Sequence, residues 1–228
     1  MSELSITLFG DSIGKGVYTD NGRVEVIKNN AVDLLAANYG LNIDNKSVYG
    51  LSLKKFFDRG FIDDYLNALP SDKENVAVLE LGGNDADYDW KSIVNAPTIQ
   101  HGSKTDITEY REDLTTIVKK LHQAKVKTYV CSIIPISSER YFKNVISKIA
   151  NAEKVLDFFH GDFNTIHRHQ EIFNSELLKV AIKNGVELID LRTQFLLSNT
   201  FEDLICLDGI HPNKNGQYLI YKTVSNML

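Results

Sequence analysis

Cysteine is scarce in this chain. The 228 residues include only Cys131 and Cys206. Two cysteines cannot form a disulfide framework, and such sparse use is typical of a reducing compartment. The sequence also lacks an apolar run long enough to cross a membrane, and its first residues show neither the basic nor the apolar region of a signal peptide. We therefore expect a cytoplasmic protein without a membrane span.

Positive charge is not in excess either. Lysine and arginine together number 25 against 30 aspartates and glutamates, which gives a formal net charge of -5. A general nucleic-acid binder usually carries a basic face, so this balance predicts no nucleic-acid partner. There is no CxxC or HExxH motif, and His160, His167 and His169 follow no zinc-ligand spacing. We interpret these histidines as part of a solvated helix face and predict no metal site.

What remains is the composition of an ordinary soluble globular protein, with 43% hydrophobic and 24% charged residues. A chain of this length fits one domain and can bury a substantial core. No repeat, linker or shift in composition divides the sequence. We expect a single domain spanning residues 1–228.

Short apolar segments alternate with segments of helical periodicity. The predicted strands cover residues 4–9, 42–48, 75–81, 127–134 and 186–191. The predicted helices cover residues 29–39, 53–69 with a break at Gly60, a segment beginning after Asp106, 141–184 and 213–226. The near-continuous apolar run at residues 75–81 is typical of a strand covered on both faces. This alternation predicts a three-layer α/β/α sandwich around a parallel sheet of about five strands.

The first predicted strand leads into a glycine-rich turn that presents a serine. Ser12 follows Gly10-Asp11 at the carboxyl end of that strand, where open α/β sheets position their chemistry. An ordinary capped turn is one interpretation. A phosphate loop has the wrong spacing between Gly10 and the pair Gly14-Lys15 and lacks the hydroxyl residue after the lysine. The Gly-x-Ser-x-Gly elbow of α/β-hydrolases matches by letter, but it needs a donor from a loop after an earlier strand, and only one strand can precede Ser12.

Three further motifs follow this turn, two of them at the ends of predicted strands. In chain order the four read Gly10-Asp11-Ser12, Gly50, Gly82-Gly83-Asn84-Asp85 and Asp208-Gly209-Ile210-His211. This order resembles that of the SGNH, or GDSL-type, hydrolase superfamily, whose blocks read Gly-Asp-Ser, a lone Gly, Gly-x-Asn-Asp and Asp-x-x-His. Each motif alone is common, whereas four in this order are specific. The resemblance implies the flavodoxin-like SGNH hydrolase fold.

The resemblance also implies a serine ester hydrolase with a catalytic triad. Ser12 would be the nucleophile that forms an acyl-enzyme, His211 the general base and Asp208 the carboxylate that orients the imidazole. Such partners are needed because a free serine hydroxyl is a poor nucleophile and the imidazole must be held in one tautomer. The backbone N–H groups of Ser12 and Gly50 and the side chain of Asn84 would form the oxyanion hole.

The implied substrate is a small molecule with an ester, thioester or O-acyl group, and short acyl groups fit best. No metal or organic cofactor is implied, and the oligomeric state is left open. Two other functions remain as alternatives. One is a flavodoxin-like binding domain in which residues 10–16 hold a phosphate or carboxylate at a helix N-terminus. The other is an acyltransferase that uses the same triad.

The polar loop at residues 86–105 starts almost directly after Asn84. Its two aromatic residues, Tyr88 and Trp90, are interleaved with charged residues, and we predict that they form the rim of the substrate pocket. The alternative is that Trp90 folds back into the core or packs on Ile93.

Two carboxylates near this loop receive structural interpretations. Glu80 interrupts an apolar strand and would be costly to bury unpaired, so it either buttresses the loops or, more simply, accepts hydrogen bonds from nearby backbone. Asp85 follows Asn84, and we interpret it as a brace without a chemical role.

Overall fold

The computed structural model of the protein describes residues 4–20 and 22–228. Its strands in chain order are β1 (Leu4–Gly10), β2 (Val17–Asp20), β3 (Arg23–Val26), β4 (Ile43–Asn45), β5 (Glu74–Glu80), β6 (Lys127–Cys131) and β7 (Glu187–Ile189). Five of them form a parallel sheet in the order β4-β1-β5-β6-β7, and β2 and β3 pair separately as an antiparallel hairpin. The sheet has the strand order of flavodoxin-like folds, in which ligands bind where the strand order reverses. The predicted five-stranded α/β fold is confirmed.

Helices connect the strands and cover both faces of the sheet. The α-helices are α1 (Ala31–Tyr39), α2 (Leu53–Asp58), α3 (Phe61–Asn67), α4 (Trp90–Asn95), α5 (Ile107–Gln123), α6 (Ser138–Tyr141), α7 (Ser147–Ile149), α8 (Ala152–Phe158), α9 (Thr165–Asn184), α10 (Leu191–Leu196) and α11 (Lys214–Ser225). A π-helical segment at Phe142–Ile146 joins α6 to α7, and a 3₁₀ turn at Phe201–Asp203 follows α10. The boundaries have sequence signals: Asn30 and Asp106 cap α1 and α5, and Gly40 ends α1 in a left-handed conformation.

Alternating residues of β5 enter two different cores, which explains the apolar run in this strand. Ala77 and Leu79 belong to the larger core, which α2, α3, α5 and α9 cover. Val78 packs against the smaller core on the other face, formed with α1, α10 and α11. Because both faces are covered there, the strand is apolar from Val76 to Leu79, between Asn75 and the terminal Glu80.

The pairing of β1 with β5 places two motif loops side by side. The strands are in register from Leu4 opposite Glu74 to Gly10 opposite Glu80. Both therefore end at the same level of the sheet, and the turn that carries Ser12 begins next to the segment that carries Asn84. This is the point at which the strand order reverses, since β1 has β4 on its other side.

Several elements differ from the sequence-based expectation. The hairpin formed by β2 and β3 was not anticipated, because the glycines that end β1 gave no sign of a strand pair beyond them. The loop at residues 86–105 contains α4, which Asp89 caps. The helical segment at residues 141–184 is interrupted before α8 and again before α9. The strand predicted over residues 127–134 is β6, which ends at Cys131. Residues 132–134 therefore lead out of the sheet toward the cavity beside Ser12.

Within the described ranges, no helix combines the length and apolar character needed to cross a bilayer. Cys131 and Cys206 are both buried and carry free thiols.

Candidate active site

Ser12 lies in a tight turn directly after β1. The turn is closed by backbone hydrogen bonds from Lys15 N–H to the Asp11 carbonyl (3.1 Å) and from Val17 N–H to the Ser12 carbonyl (2.8 Å). Ser12 is 6% exposed, so its hydroxyl faces an internal cavity rather than open solvent. No helix begins in this turn, because the chain continues into β2. The binding-domain alternative therefore loses the helix N-terminus on which it depended.

The Asp208–His211 segment forms a compact turn before α11. Asp208 Oδ1 accepts hydrogen bonds from the backbone N–H of Ile210 (2.9 Å) and of His211 (3.0 Å). Gly209 has a φ of 78°, and a Cβ there would lie 2.5 Å from the carbonyl oxygen of Ser137. Only glycine fits this position without strain. The spacing of aspartate and histidine is thus built into one local turn.

Ser12, His211 and Asp208 form a continuous hydrogen-bonded chain. His211 Nε2 lies 2.9 Å from Ser12 Oγ, and His211 Nδ1 lies 2.6 Å from Asp208 Oδ2. Burial raises the pKa of Asp208, but the hydrogen bond and charge of His211, together with the hydrogen bonds from Thr19 and Ile210, outweigh this effect, so that the pKa of Asp208 lies below its usual value. An ionised Asp208 accepts from Nδ1–H, which leaves Nε2 free to accept the serine proton.

Thr19 is a fourth member of this hydrogen-bonded chain, and no sequence motif pointed to it. Its hydroxyl donates to Asp208 Oδ2 at 2.7 Å, and it also helps to lower the pKa of Asp208. The residue lies in β2, so the unexpected hairpin supplies a second donor to the same oxygen that receives the imidazole N–H. Thr19 and Asp208 are 189 residues apart, and no local pattern links them.

Two backbone N–H groups face the cavity beside Ser12. Within the described residues, neither the Ser12 N–H nor the Gly50 N–H donates to a protein acceptor, and both residues line the cavity. Gly50 has a φ of 68°, and a Cβ there would meet no other atom. Glycine is therefore needed for the left-handed backbone rather than for lack of space.

Asn84 lies in the same cavity, but its amide is already occupied. Nδ2 donates to Asp11 Oδ2 at 2.8 Å and to the Leu51 carbonyl at 3.1 Å. A carboxamide has two N–H donors, so both are in use. To donate to a further acceptor in the cavity, Asn84 would have to share or exchange one of these bonds.

Asp85 braces the segment that precedes α2. Its carboxylate accepts from the backbone N–H of Leu53 (2.7 Å), the N–H of Lys54 (3.1 Å) and the hydroxyl of Thr105 (2.8 Å). Burial raises the pKa of this carboxyl above its usual value. All of its partners are structural and it does not line the cavity. The contacts match the bracing role expected from the sequence.

The cavity beside Ser12 has a volume of about 240 Å³ and two kinds of wall. Its polar side is formed by the groups already described. The apolar residues that line the cavity include Ile133, Ile134, Ile136, Tyr141, Val145, Ile166 and Ile210, which we call its apolar wall. The π-helical segment contributes Val145, and Tyr49, which is 55% exposed, stacks on the His211 ring at the entrance with the ring planes 16° apart.

Tyr88 and Trp90 do not form the rim of this cavity, which corrects the sequence-based expectation. They are only 5% and 6% exposed and belong to a second hydrophobic cluster that includes Ile93 and Phe159. The Trp90 ring packs edge-on to Tyr141, and Tyr141 is the residue that lines the cavity. Because Asp89 starts α4, the loop turns inward and the two aromatic rings are buried in the cluster.

Two of the three histidines considered for metal binding, His167 and His169, lie in α9 and have other partners. His167 Nε2 lies 3.1 Å from an Arg192 nitrogen, and His169 Nδ1 lies 2.9 Å from the Ala86 carbonyl. Among residues 4–20 and 22–228, no group of three or more histidine, cysteine, aspartate or glutamate side chains is arranged to hold a metal ion.

The fold is that of an α/β protein in which a hydrogen-bonded serine, histidine and aspartate lie at the carboxyl edge of the parallel sheet. Residues 8–219 match the model of the GDSL-like Lipase/Acylhydrolase family. The chain therefore belongs to the GDSL-like lipase/acylhydrolase family. A comparison with curated proteins found no match.

Solved structures with the same fold are similar over nearly their whole length. A lipase/acylhydrolase from Enterococcus faecalis is 18% identical, with 99% of this chain and 94% of that one covered and a TM-score of 0.66. A lipolytic protein of the G-D-S-L family from Veillonella parvula is also 18% identical, covers 99% and 98%, and has a TM-score of 0.66. An acetyl xylan esterase from Geobacillus stearothermophilus is 15% identical, covers 99% and 96%, and has a TM-score of 0.65.

Proposed function

We propose that this protein is a serine ester hydrolase in which Ser12 is the nucleophile, His211 the general base and Asp208 the carboxylate that orients it. The hydrogen-bonded chain from Ser12 Oγ through the imidazole to Asp208 carries this proposal, with distances of 2.9 and 2.6 Å. In such a chain the imidazole removes the serine proton as the hydroxyl attacks an acyl carbon.

The reaction proceeds in two halves. Ser12 Oγ forms a bond to the acyl carbon, His211 Nε2 takes the hydroxyl proton, and the same nitrogen returns it to the departing alcohol oxygen. Water then attacks the acyl-enzyme with His211 again as the base, which releases the acid and restores the Ser12 hydroxyl. The backbone N–H groups of Ser12 and Gly50 donate to the oxyanion in both halves, joined by the Asn84 amide once it exchanges one of its present bonds.

The apolar wall of the cavity is the proposed acyl site. A cavity of 150 Å³ accommodates benzene, so at the same filling the 240 Å³ cavity would hold roughly ten non-hydrogen atoms, of which the ester group takes three. This supports a short acyl chain of at most roughly six or seven carbons. The acetyl xylan esterase among the similar structures makes an acetylated sugar a suitable member of a substrate panel.

The test is covalent labelling together with an ester panel. A fluorophosphonate should label Ser12, as mapped by mass spectrometry, and Ser12→Ala should abolish both labelling and hydrolysis. Ser198→Ala, a serine outside the cavity, is the matched control and should behave like the wild type. The panel consists of chromogenic esters of increasing acyl length, acetylated sugars and acyl-CoA.

Two results would contradict the proposal: labelling at another residue, or full activity in Ser12→Ala. The ratio of acid to transferred acyl product, measured with an added alcohol acceptor, decides between hydrolysis and acyl transfer by the same triad.

A further inference from the structure

The Glu80 side chain accepts hydrogen bonds from the turn that carries Ser12. Glu80 is the last residue of β5, and its Oε2 accepts hydrogen bonds from the backbone N–H of Asp11 (3.2 Å) and of Gly14 (3.0 Å). These two N–H groups lie on either side of Ser12 in the chain. The position of the nucleophile is therefore set partly by a carboxyl group on the neighbouring strand.

Asp11 connects this carboxyl group to the Asn84 amide. Asp11 Oδ1 accepts from Ile13 N–H at 2.8 Å, and Oδ2 accepts from Asn84 Nδ2 at 2.8 Å. The carboxyl groups of Asp11 and Glu80 are close neighbours, since Glu80 Oε2 accepts from the backbone N–H of Asp11 and the charge of Asp11 raises the pKa of Glu80. Two carboxylates in contact cannot both be ionised without strong repulsion, so the pair holds one proton between them.

The surroundings assign that proton to Glu80. Burial and the negative charge of Asp11 raise the pKa of Glu80 well above its usual value. Burial also raises the pKa of Asp11, to about 6, while Ile13 N–H and the charge of His211 oppose this rise. The other titratable groups that face the pair are Asp85 beyond Asn84 and the Cys131 thiol in β6. At neutral pH the pair thus carries one negative charge, located on Asp11.

We propose that Glu80 is a positioning residue for Ser12 and Asn84, and that it performs this role only in its protonated form. Protonated Glu80 donates to Asp11 through one oxygen and accepts the two backbone N–H groups with the other. Ionisation would remove the bond to Asp11 and add a second negative charge beneath the site where the oxyanion forms. The turn and the Asn84 amide would then shift, and the developing charge would be destabilised. The inference rests on the proposed function and predicts an alkaline loss of activity.

The experiment compares the pH dependence of the wild type, Glu80→Gln and Glu80→Leu. Glutamine keeps the acceptor oxygen and replaces the acidic proton by an N–H donor that cannot ionise, whereas leucine keeps the bulk and removes both functions. We expect at least a tenfold fall in wild-type kcat/KM and in the rate of fluorophosphonate labelling at alkaline pH. Glu80→Gln should retain most of the neutral activity without this fall. Glu80→Leu should be slowed at least tenfold at every pH at which it is folded.

A second measurement does not depend on activity. The folded state keeps the Glu80 proton to a pH at which the unfolded chain has already lost it. The free energy of unfolding of the wild type should therefore decrease as the pH rises from the ordinary glutamate pKa of 4.5 toward the raised pKa of Glu80 in the folded state. Urea unfolding across this pH range should show that decrease relative to Glu80→Gln. Cys131→Ala, compared in the same series, identifies any contribution of the thiol.

Several results would overturn the role of Glu80. They are a wild-type profile without an alkaline fall, the same fall in Glu80→Gln, or a folded Glu80→Gln as inactive as Glu80→Leu. Failure of the proposed function is a different observation, namely the absence of Ser12 labelling in the wild type at any pH. In that case the unfolding series still tests whether Glu80 holds the shared proton.

Discussion

The Asp208–His211 turn is one motif of the family resemblance and the loop at residues 86–105 follows another, yet they contribute to the site in different ways. The turn supplies two polar side chains, and its own backbone N–H groups hold Asp208 in place. The loop was expected to supply two aromatic side chains, but it buries both of them. Polar groups are positioned by short, directional hydrogen bonds within a turn, whereas aromatic rings go wherever the surrounding fold offers apolar partners.

The largest expected effect concerns the turn. Asp208→Asn preserves its shape but no longer offers the carboxylate that holds the Nδ1–H tautomer, so kcat/KM should fall about 10,000-fold. Steady-state kinetics and thermal unfolding together check this, with stability expected to change little. Asp203→Asn, an exposed aspartate before the turn, is the control and should keep normal activity. A loss below tenfold in Asp208→Asn would mean that the turn does not orient the base.

A substitution in the loop should reduce stability and leave the ester preference unchanged. Trp90→Ala removes a ring buried against Tyr141 and Phe159, and the free energy of unfolding should fall by about 3–5 kcal/mol. The relative rates on short and long esters should stay the same in the folded fraction, as measured with the ester panel. Tyr141→Ala is the counterpart, since Tyr141 lines the cavity and its removal should change these ratios. If Trp90→Ala were as stable as the wild type and had an altered ester preference, Trp90 would belong to the rim of the substrate pocket and not to the core.

Asn84 lines the same cavity as Ser12 and immediately precedes Asp85 and the loop at residues 86–105. Asn84→Ala should lower kcat by about 100- to 1,000-fold, or 2.7–4 kcal/mol, with little change in KM, because the oxyanion exists only during the reaction. Since the Leu51 carbonyl also loses its donor, thermal unfolding must be measured in parallel. An increase in KM with kcat unchanged would make Asn84 a substrate-binding residue.

The smallest effect tests what the hairpin adds to the turn. Thr19→Val keeps the shape of the side chain but removes the hydroxyl that donates to Asp208, and kcat/KM should fall about tenfold, as expected for one hydrogen bond to a charged group. Thr19→Ser restores a hydroxyl and should recover most of the activity. Equal kinetics in all three proteins would show that the turn orients Asp208 without the hairpin.

Much of the architecture could be predicted, because its signals are local. The alternation of apolar strands and periodic helices indicated the five-stranded parallel sheet, and Asp106 marked the start of α5. The motif residues Ser12, Asp208 and His211 were selected from short patterns, and the structure brings them within hydrogen-bond distance of one another. Their chemical roles remain predictions.

Other features depend on residues that are far apart in the chain. Thr19 meets Asp208 across 189 positions, and Glu80 meets Asp11 across 69. The apolar wall of the cavity likewise combines segments after β6, in the π-helical segment and in α9. No periodicity or short motif records such contacts, because they arise only when the strands are in register and the helices are packed.

The sequence alone therefore indicated which residues could carry the chemistry and that Ser12 and Asn84 would lie at strand ends, since strand periodicity and turn geometry depend on near neighbours. Folding determined which groups contact them: the Glu80 carboxyl group that accepts from the Ser12 turn, the Thr19 hydroxyl that donates to Asp208 and the Tyr141 ring that lines the cavity. Tyr141 rather than Trp90 lines the cavity, although both rings are buried in the same cluster, which includes residues of α4 and α8. Burial and charge pairing are properties of the assembled interior, and they exist only in three dimensions.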